Sequence, residues 1–241
     1  GLARVLPFDQ LVSPEDSEFF NWSKPFVQLE TTRGCFNTCA FCVSGGEKPV
    51  RTLSMEAIRQ RLEIIHQHGI KNVRVLDRTF NFNPRRAKEL LQLFQEFHPH
   101  IRFHLEIHPA LLSEDLKTEL QQLPEGLLHL EAGIQSLREP VLEKCKRLGK
   151  LNDALEGLQF LCSIDNMETH ADLIAGLPLY RLNEVFEDIR ILAEFQAGEI
   201  QLESLKLLPG TDMRRRANEL GIQYSPMPPY EVLRTEDITP E

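Results

Sequence analysis

Long apolar runs are missing from this 241-residue chain, and no signal-peptide pattern opens the sequence. Nothing in it therefore reads as a membrane span or a secretory leader, and the expectation is a cytoplasmic protein. Low-complexity tracts and internal repeats are also lacking, and at 41% hydrophobic and 26% charged the composition excludes disordered, collagenous and disulfide-rich classes. Basic side chains are outnumbered, 27 against 36, for a formal charge of −9. That balance argues against a broad nucleic-acid or anionic-membrane surface, although a local basic groove would still be compatible with it. Cysteine is scarce and odd in number, five in all, yet three of the five crowd into eight residues. Such spacing suits a reducing compartment and a metal centre better than a disulfide framework. Position 1 is not Met, so the chain is read as processed or as a piece of something longer.

Short strand-like runs alternate with amphipathic helical patterns. Strands are expected at Phe26–Thr31, Asn72–Asp77, Ile101–Ile107, Leu127–Ala132, Glu168–Ile174 and Glu199–Leu207. Helices are expected at Ser54–His68, Pro84–Phe97, Ser113–Gln122, Leu151–Ser163 and Asn183–Gln196. Met55, Ile58, Leu62 and Ile65 recur at helical spacing behind Ser54, a good N-cap, and Pro84 follows Asn83 where a first turn tolerates it. Alternating β and α segments mean parallel strands joined by right-handed crossovers. Six such units are too few for a closed barrel of eight strands and about 250 residues.

Side-chain alternation decides between an open barrel and a doubly wound sheet. Gln28 and Glu30 share one face of the first strand, and His104, Glu106 and His108 one face of the third. The fourth strand groups His129, Glu131, Gly133 and Gln135, the fifth His170 and Asp172, the sixth Gln201 and Glu203. The opposite faces are apolar. A doubly wound sheet is covered on both sides and should be apolar on both. One polar face implies a ligand-holding lumen, so the expected fold is α/β, a partial open (β/α)6 TIM-like barrel over residues 26–211. Residues 1–25 read as a linker or N-terminal extension, and 212–241 as a C-terminal helical extension. Up to six carboxylates (Glu30, Asp77, Glu106, Glu131, Asp172, Glu203) are expected to face the lumen, which disfavours a polyanionic substrate. The blander reading pairs Glu131 and Glu203 with Lys206 or Arg74, and treats the three interior histidines as hydrogen-bonded core residues.

The strongest local signal is Cys35-Phe36-Asn37-Thr38-Cys39-Ala40-Phe41-Cys42, directly after the first strand. Thiolates bind soft metals, and three within one loop can reach a single cluster. Zinc is the alternative, but a structural zinc site wants four ligands, and no other Cys or His lies near in sequence. Cys145 and Cys162 sit far along the chain and read as small buried residues, with Arg147 a possible cause of a lowered Cys145 pKa.

This C-x3-C-x2-C with an aromatic before its last Cys resembles the motif of the radical S-adenosylmethionine (radical SAM) superfamily, and the partial barrel is also that superfamily's fold. The resemblance implies a [4Fe–4S] cluster on Cys35, Cys39 and Cys42, whose fourth iron binds SAM, with Phe41 against the adenine. Further stretches are similar to one branch of the superfamily, which includes the coproporphyrinogen dehydrogenases and many members that carry a cobalamin domain. They are Glu106-Ile107-His108-Pro109, Gly133-Ile134-Gln135-Ser136 with Arg147 twelve residues on, Asp172 to Pro178, and Leu207 to Thr211. By that pattern Glu106, Gln135, Arg147 and Asp172 would contact SAM, and Leu208 would border its adenine.

Gly45-Gly46-Glu47 resembles the superfamily's G-G-E, but it follows the third Cys instead of the second strand, so it reads as turn chemistry of the cluster loop. Asp77, or carbonyls of its turn, would then hold the SAM amine. Leu29 to Cys35 reads L-E-T-T-R-G-C, similar to members with an N-terminal cobalamin-binding domain. D-x-H-x-x-G, the cobalamin-ligand signature, does not occur here, so cobalamin, if used, would be bound outside this chain. The implied function is reductive SAM cleavage to a 5′-deoxyadenosyl radical for hydrogen abstraction, with or without methyl transfer. The alternative is a non-catalytic iron–sulfur electron-transfer or scaffold protein. Implied partners are a small-molecule or peptide substrate and an electron donor such as flavodoxin or ferredoxin, with neither membrane nor nucleic acid.

Overall fold

The computed structural model describes residues 6–239. Six strands form one sheet: β1 (Val27–Leu29), β2 (Asn72–Val75), β3 (Arg102–Ile107), β4 (Leu128–Gln135), β5 (Glu168–Ala175) and β6 (Glu199–Ser204). They lie side by side in chain order, and every neighbouring pair is parallel. β1 and β6 end the sheet without pairing to each other, which makes this the partial, open barrel that the polar lumen face implies. The helices are α1 (Met55–Gln67), α2 (Pro84–Gln95), α3 (Glu114–Gln122), α4 (Glu139–Lys144), α5 (Leu151–Cys162), α6 (Leu182–Glu194) and α7 (Asp212–Arg215). None is long and apolar enough to cross a membrane.

Local chemistry accounts for the helix starts. Ser54, Asn83 and Ser113 each accept a backbone N–H three residues on, at 3.3, 3.1 and 3.3 Å, and Pro84 occupies the first turn of α2. The alternation of β3 and β4 sorts as expected: Phe103, Leu105, Leu128 and Leu130 are fully buried against the helices. Phe94 of α2 stacks on Phe103 with centroids 4.0 Å apart. A side chain buried this way contributes roughly 1.5–3 kcal/mol. A smaller apolar cluster (Ala40, Val141, Cys145, Leu177, Leu207, Met213) lies under the cysteine loop and joins it to the C-terminal segment.

Three boundaries differ from expectation. β4 runs on to Gln135, three residues past the expected end at Ala132 and in keeping with the placing of Gly133 and Gln135 on its polar face. The short α4 shows too few turns to reveal a period in sequence. The C-terminal segment is helical only over Asp212–Arg215; Gln223–Tyr224 and Val232–Arg234 then pair antiparallel. Pro226, Pro228 and Pro229 lie between those two strands, and a helix cannot be continued through them. At the other end, Glu15 is buried against Arg61 of α1, and Trp22 stacks on His68 at 3.8 Å. The N-terminal segment is thus anchored on the barrel through Glu15 and Trp22.

Candidate active site

The loop that carries the three cysteines leaves the C-terminal end of β1 and is pinned from both sides. Thr32–Arg33 pair antiparallel with Arg51–Thr52 and close its base. Inside it, Cys35 N–H donates to Glu47 O at 3.0 Å, Gly45 N–H to Cys42 O at 3.1 Å, and Gly46 N–H to Asn37 O at 2.7 Å. Gly45-Gly46-Glu47 is therefore loop-turn chemistry, as its position suggests. Gly34, at φ +98°, is required there, because a Cβ would lie 2.6 Å from Glu47 O. Across the barrel mouth, Ala40 N–H donates to Cys145 O and Met213 N–H to Ala40 O, both at 2.8 Å.

Cys35 and Cys39 are buried, Cys42 is half-buried, and all three are free thiols. Among the described residues, their sulfurs are not gathered within 4.8 Å of one another as the ligands of a single ion are. Arg147 places Nη1 3.8 Å from Cys39 Sγ, and its Nη2 donates to Gly133 O. Burial pushes the Cys39 thiol up while the Arg147 guanidinium opposes that rise. Three free thiols beside a fixed cation fit an anionic iron–sulfur cluster with one iron left open, and three ligands fall one short of a structural zinc site.

The residues that would meet SAM fall in two groups. Gln135, Arg147 and Phe41 flank the loop. Gln135 ends β4 at φ +74°, where the β4–β5 register shifts. Its amide is folded over Gly133, whose Cβ, if present, would lie 2.7 Å from Gln135 Nε2. Such a bulge re-aims a side chain beside a site. Phe41 is half-buried on the small apolar cluster, and Leu208 is half-exposed in the turn after β6, where its carbonyl accepts Thr211 Oγ1–H at 2.8 Å. Glu106 and Asp172 lie deeper in the lumen.

Asp77 corrects the sequence expectation. Its Oδ1 accepts the backbone N–H groups of Thr31 and Thr32, both at 2.8 Å, and its Oδ2 accepts the Thr31 hydroxyl. Only 1% exposed, it ties β2 to the end of β1 and is not free to hold an amine. The lumen is also less acidic than six carboxylates would make it. Glu30 is paired with Arg33, Glu203 lies 3.4 Å from Lys206, and Asp77 is spent on backbone. Glu106, Glu131 and Asp172 remain together. Register places Glu106 beside Glu131, Glu131 beside His170, and His104 beside His129.

These groups reshape one another. Burial, then the Glu131 charge, pushes Glu106 up to about 7. Burial and the same neighbour push Asp172 well above the usual carboxylate range. Glu131 is held well below the usual carboxylate range, first by the hydrogen bond from His104 and then by the nearby His170 ring. His104 Nε2 lies 2.9 Å from a Glu131 oxygen, and His129 Nε2 lies 2.8 Å from His170 Nδ1. His129 is pushed down to about 4 by burial and by the neighbouring rings. Glu131 is thus partnered by histidines, not by Lys206 or Arg74.

Asn37, Asn81 and His108 complete the frame; the sequence places His108 on the polar face of the third strand but marks neither asparagine as a site residue. Asn37 Oδ1 accepts Thr38 N–H at 2.9 Å and Leu148 N–H at 3.1 Å. Asn81 and His108 exchange two hydrogen bonds, both 2.9 Å, and His108 Nε2 donates to Leu148 O at 3.0 Å. An Asn within a cysteine loop is the signal available for the first; nothing in the spacing marks the pairing of the other two. Burial pushes the Cys145 thiol up to about 12 and that of Cys162 up to about 11, so Arg147 does not activate Cys145.

A model of the radical SAM superfamily matches residues 29–192. The ribosomal protein uS12 methylthiotransferase RimO of Desulfitobacterium hafniense (strain Y51) is 24% identical over 195 residues, covering 76% of this chain and 42% of that protein. The cobalamin-dependent radical SAM methyltransferase TokK of Streptomyces tokunonensis is 23% identical over 215 residues, 85% of this chain and 31% of TokK. The structure of the methyltransferase TsrM from Kitasatospora setae, with cobalamin and a [4Fe–4S] cluster bound, superposes with a TM-score of 0.70 at 18% identity, over 89% of this chain and 44% of TsrM. The chain spans less than half the length of each of these proteins. With the family model matched over more than half the chain, on a loop that holds three free cysteines at the mouth of an open six-stranded barrel, the chain belongs to the radical SAM superfamily.

Proposed function

We propose that this chain carries out radical SAM chemistry on a small-molecule or peptide substrate, with methyl transfer as its most supported outcome. The carrying observation is the buried cysteine loop with Arg147 fixed against Cys39 Sγ. A [4Fe–4S] cluster on Cys35, Cys39 and Cys42 would supply the electron that cleaves SAM to methionine and a 5′-deoxyadenosyl radical. Around it, Arg147 offers a fixed cation toward the methionyl carboxylate, and Gln135 presents its amide from the bulge end of β4. Glu106 and Asp172 accept from the ribose side, and Phe41 and Leu208 border the adenine. The Asn37 and Asn81–His108 hydrogen bonds hold these elements in register. Methyl transfer is supported by the likeness to TokK, and cobalamin would be bound by donors outside this sequence. Reduced flavodoxin or ferredoxin is the proposed electron donor.

Anaerobic reconstitution followed by dithionite and SAM tests this. The chain should hold about four iron atoms and release 5′-deoxyadenosine, and Cys39→Ala should lose both. A fully loaded cluster that leaves SAM intact, and whose spectrum SAM does not change, would return the reading to an electron-transfer protein.

A further inference from the structure

Below the cysteine loop, three side chains from two adjacent strands converge, and two of them bring a buried polar atom without a hydrogen-bond partner among the described residues. A carboxylate oxygen of Glu131, Nε2 of His170 and an oxygen of Asp172 all lie within 4.8 Å of one another. His170 Nε2 is 3.6 Å from Glu131 Oε2 and 3.5 Å from Asp172 Oδ1. Those separations exceed the 2.7–3.2 Å range of N–H···O hydrogen bonds. They match the roughly 3.4 Å between two ligand atoms that each sit about 2.1 Å from a shared tetrahedral ion. The His170 side chain is only 7% exposed. Its Nε2 and Asp172 Oδ1 are both buried with no hydrogen-bond partner among the described residues, a state that is costly to leave unmet.

From this geometry we infer that the barrel lumen holds a second, mononuclear site for a divalent first-row transition ion, ligated by Glu131, His170 and Asp172. Surrounding contacts have the form that metal ligands require. His170 Nδ1 lies 2.8 Å from His129 Nε2, and with the proton of that hydrogen bond on His170 Nδ1 the Nε2 lone pair is left for the ion. His104 Nε2–H donates to Glu131 Oε2 at 2.9 Å and orients that carboxylate. One imidazole and two carboxylates suit Mn2+, Fe2+ or Zn2+, and three protein ligands leave positions open. Two carboxylates balance the charge of the ion. Asp172 enters through Oδ1, which leaves Oδ2 for the SAM contact of the proposed function. A cavity of about 230 Å³ at the opposite end of the strands from the cysteines is lined by His104 and His129, the two rings that hydrogen-bond Glu131 and His170. The two arginines at its rim are engaged elsewhere, Arg102 by Glu168 and Arg74 over the Phe26 ring.

Mn2+ is the probe of choice, because it binds oxygen and nitrogen donors and leaves the cysteine loop alone. The cluster-loaded chain is titrated with Mn2+, and free Mn2+ is read from its aqueous EPR signal. One saturable site per chain is expected, weakened at least tenfold in His170→Gln and in Glu131→Gln at unchanged iron content. Absence of a saturable site in the loaded protein, or Mn2+ binding unchanged in both variants, overturns the proposal. If the variants fail to fold, the unmodified chain decides: Mn2+ should raise its thermal midpoint, and no shift at saturating Mn2+ counts against the site. SAM cleavage is not part of the readout, so the two proposals stand or fall separately.

Discussion

Asp77 and His108 show how single polar groups near the barrel mouth divide between structure and chemistry. Two backbone N–H groups and one hydroxyl converge on Asp77 in a buried setting. Asp77→Ala leaves those donors without an acceptor and should cost about 2–4 kcal/mol of stability in denaturant unfolding. Asp77→Asn keeps an oxygen for both N–H groups and can donate to the Thr31 hydroxyl, so its loss should stay within about 1 kcal/mol. The opposite pattern, a stable Ala variant and an Asn variant that cannot bind SAM, would restore Asp77 as the amine ligand. His108 makes a pH-dependent contribution. Burial, reinforced by the Arg147 charge, pushes its pKa from 6.5 down to about 4. The unfolded chain therefore takes up this proton first. The contribution is complete above about pH 6.5 and declines as pH falls toward 4, by roughly 3 kcal/mol in total. Urea unfolding at a series of pH values should show that slope reduced in His108→Gln; an equal slope in both proteins would assign it to other groups.

At the scale of elements, propensity and packing conflict at Gly157 in α5. An alanine there improves helix propensity by about 1 kcal/mol. The added Cβ, however, would meet the Pro109 carbonyl, with the Pro109 carbonyl carbon only 2.8 Å away, where α5 crosses the turn Pro109–Leu111 after β3. Backbone cannot give way as a flexible side chain can, so Gly157→Ala should destabilise by about 1–3 kcal/mol in spite of its propensity gain. Thermal unfolding of the variant checks this, and a raised midpoint would show that α5 is free to shift. Period alone made α5 legible, but not the neighbour that holds it. The six strands and the lumen face could be read from the sequence because alternation is a local property, visible in His104-Leu105-Glu106-Ile107. The cysteine loop could be read because its spacing is itself chemical. What stayed hidden are pairings across strands. Asp77 with Thr31, Glu131 with His104 and His170, and Asn81 with His108 depend on register between segments 27–46 residues apart.

Over the whole molecule, the N-terminal segment is fastened to the barrel by one buried ion pair. Glu15 and Arg61 meet through two hydrogen bonds of 2.7 and 3.0 Å, with side chains 0% and 9% exposed. Around that clamp, Phe8, Phe20 and Phe26 line a cavity of about 800 Å³ against β1, the strand at the open edge of the sheet. The segment therefore shapes the side of the barrel that no seventh strand covers. A buried pair need not stabilise relative to an apolar replacement, but removing one partner leaves an uncompensated charge and costs about 3–5 kcal/mol. Glu15→Ala and Arg61→Ala should each lose about that much, and the double variant much less than their sum, with an interaction energy of about 0.5–3 kcal/mol. The replacement Glu15→Leu with Arg61→Met should recover most of the loss. Limited proteolysis supplies the second readout: Glu15→Ala should expose residues 6–25 to cleavage while the barrel beyond Val27 stays intact. If both single variants unfold at the unmodified denaturant midpoint and resist cleavage, the segment is held by its aromatic contacts alone, and the ion pair is incidental to closing that edge.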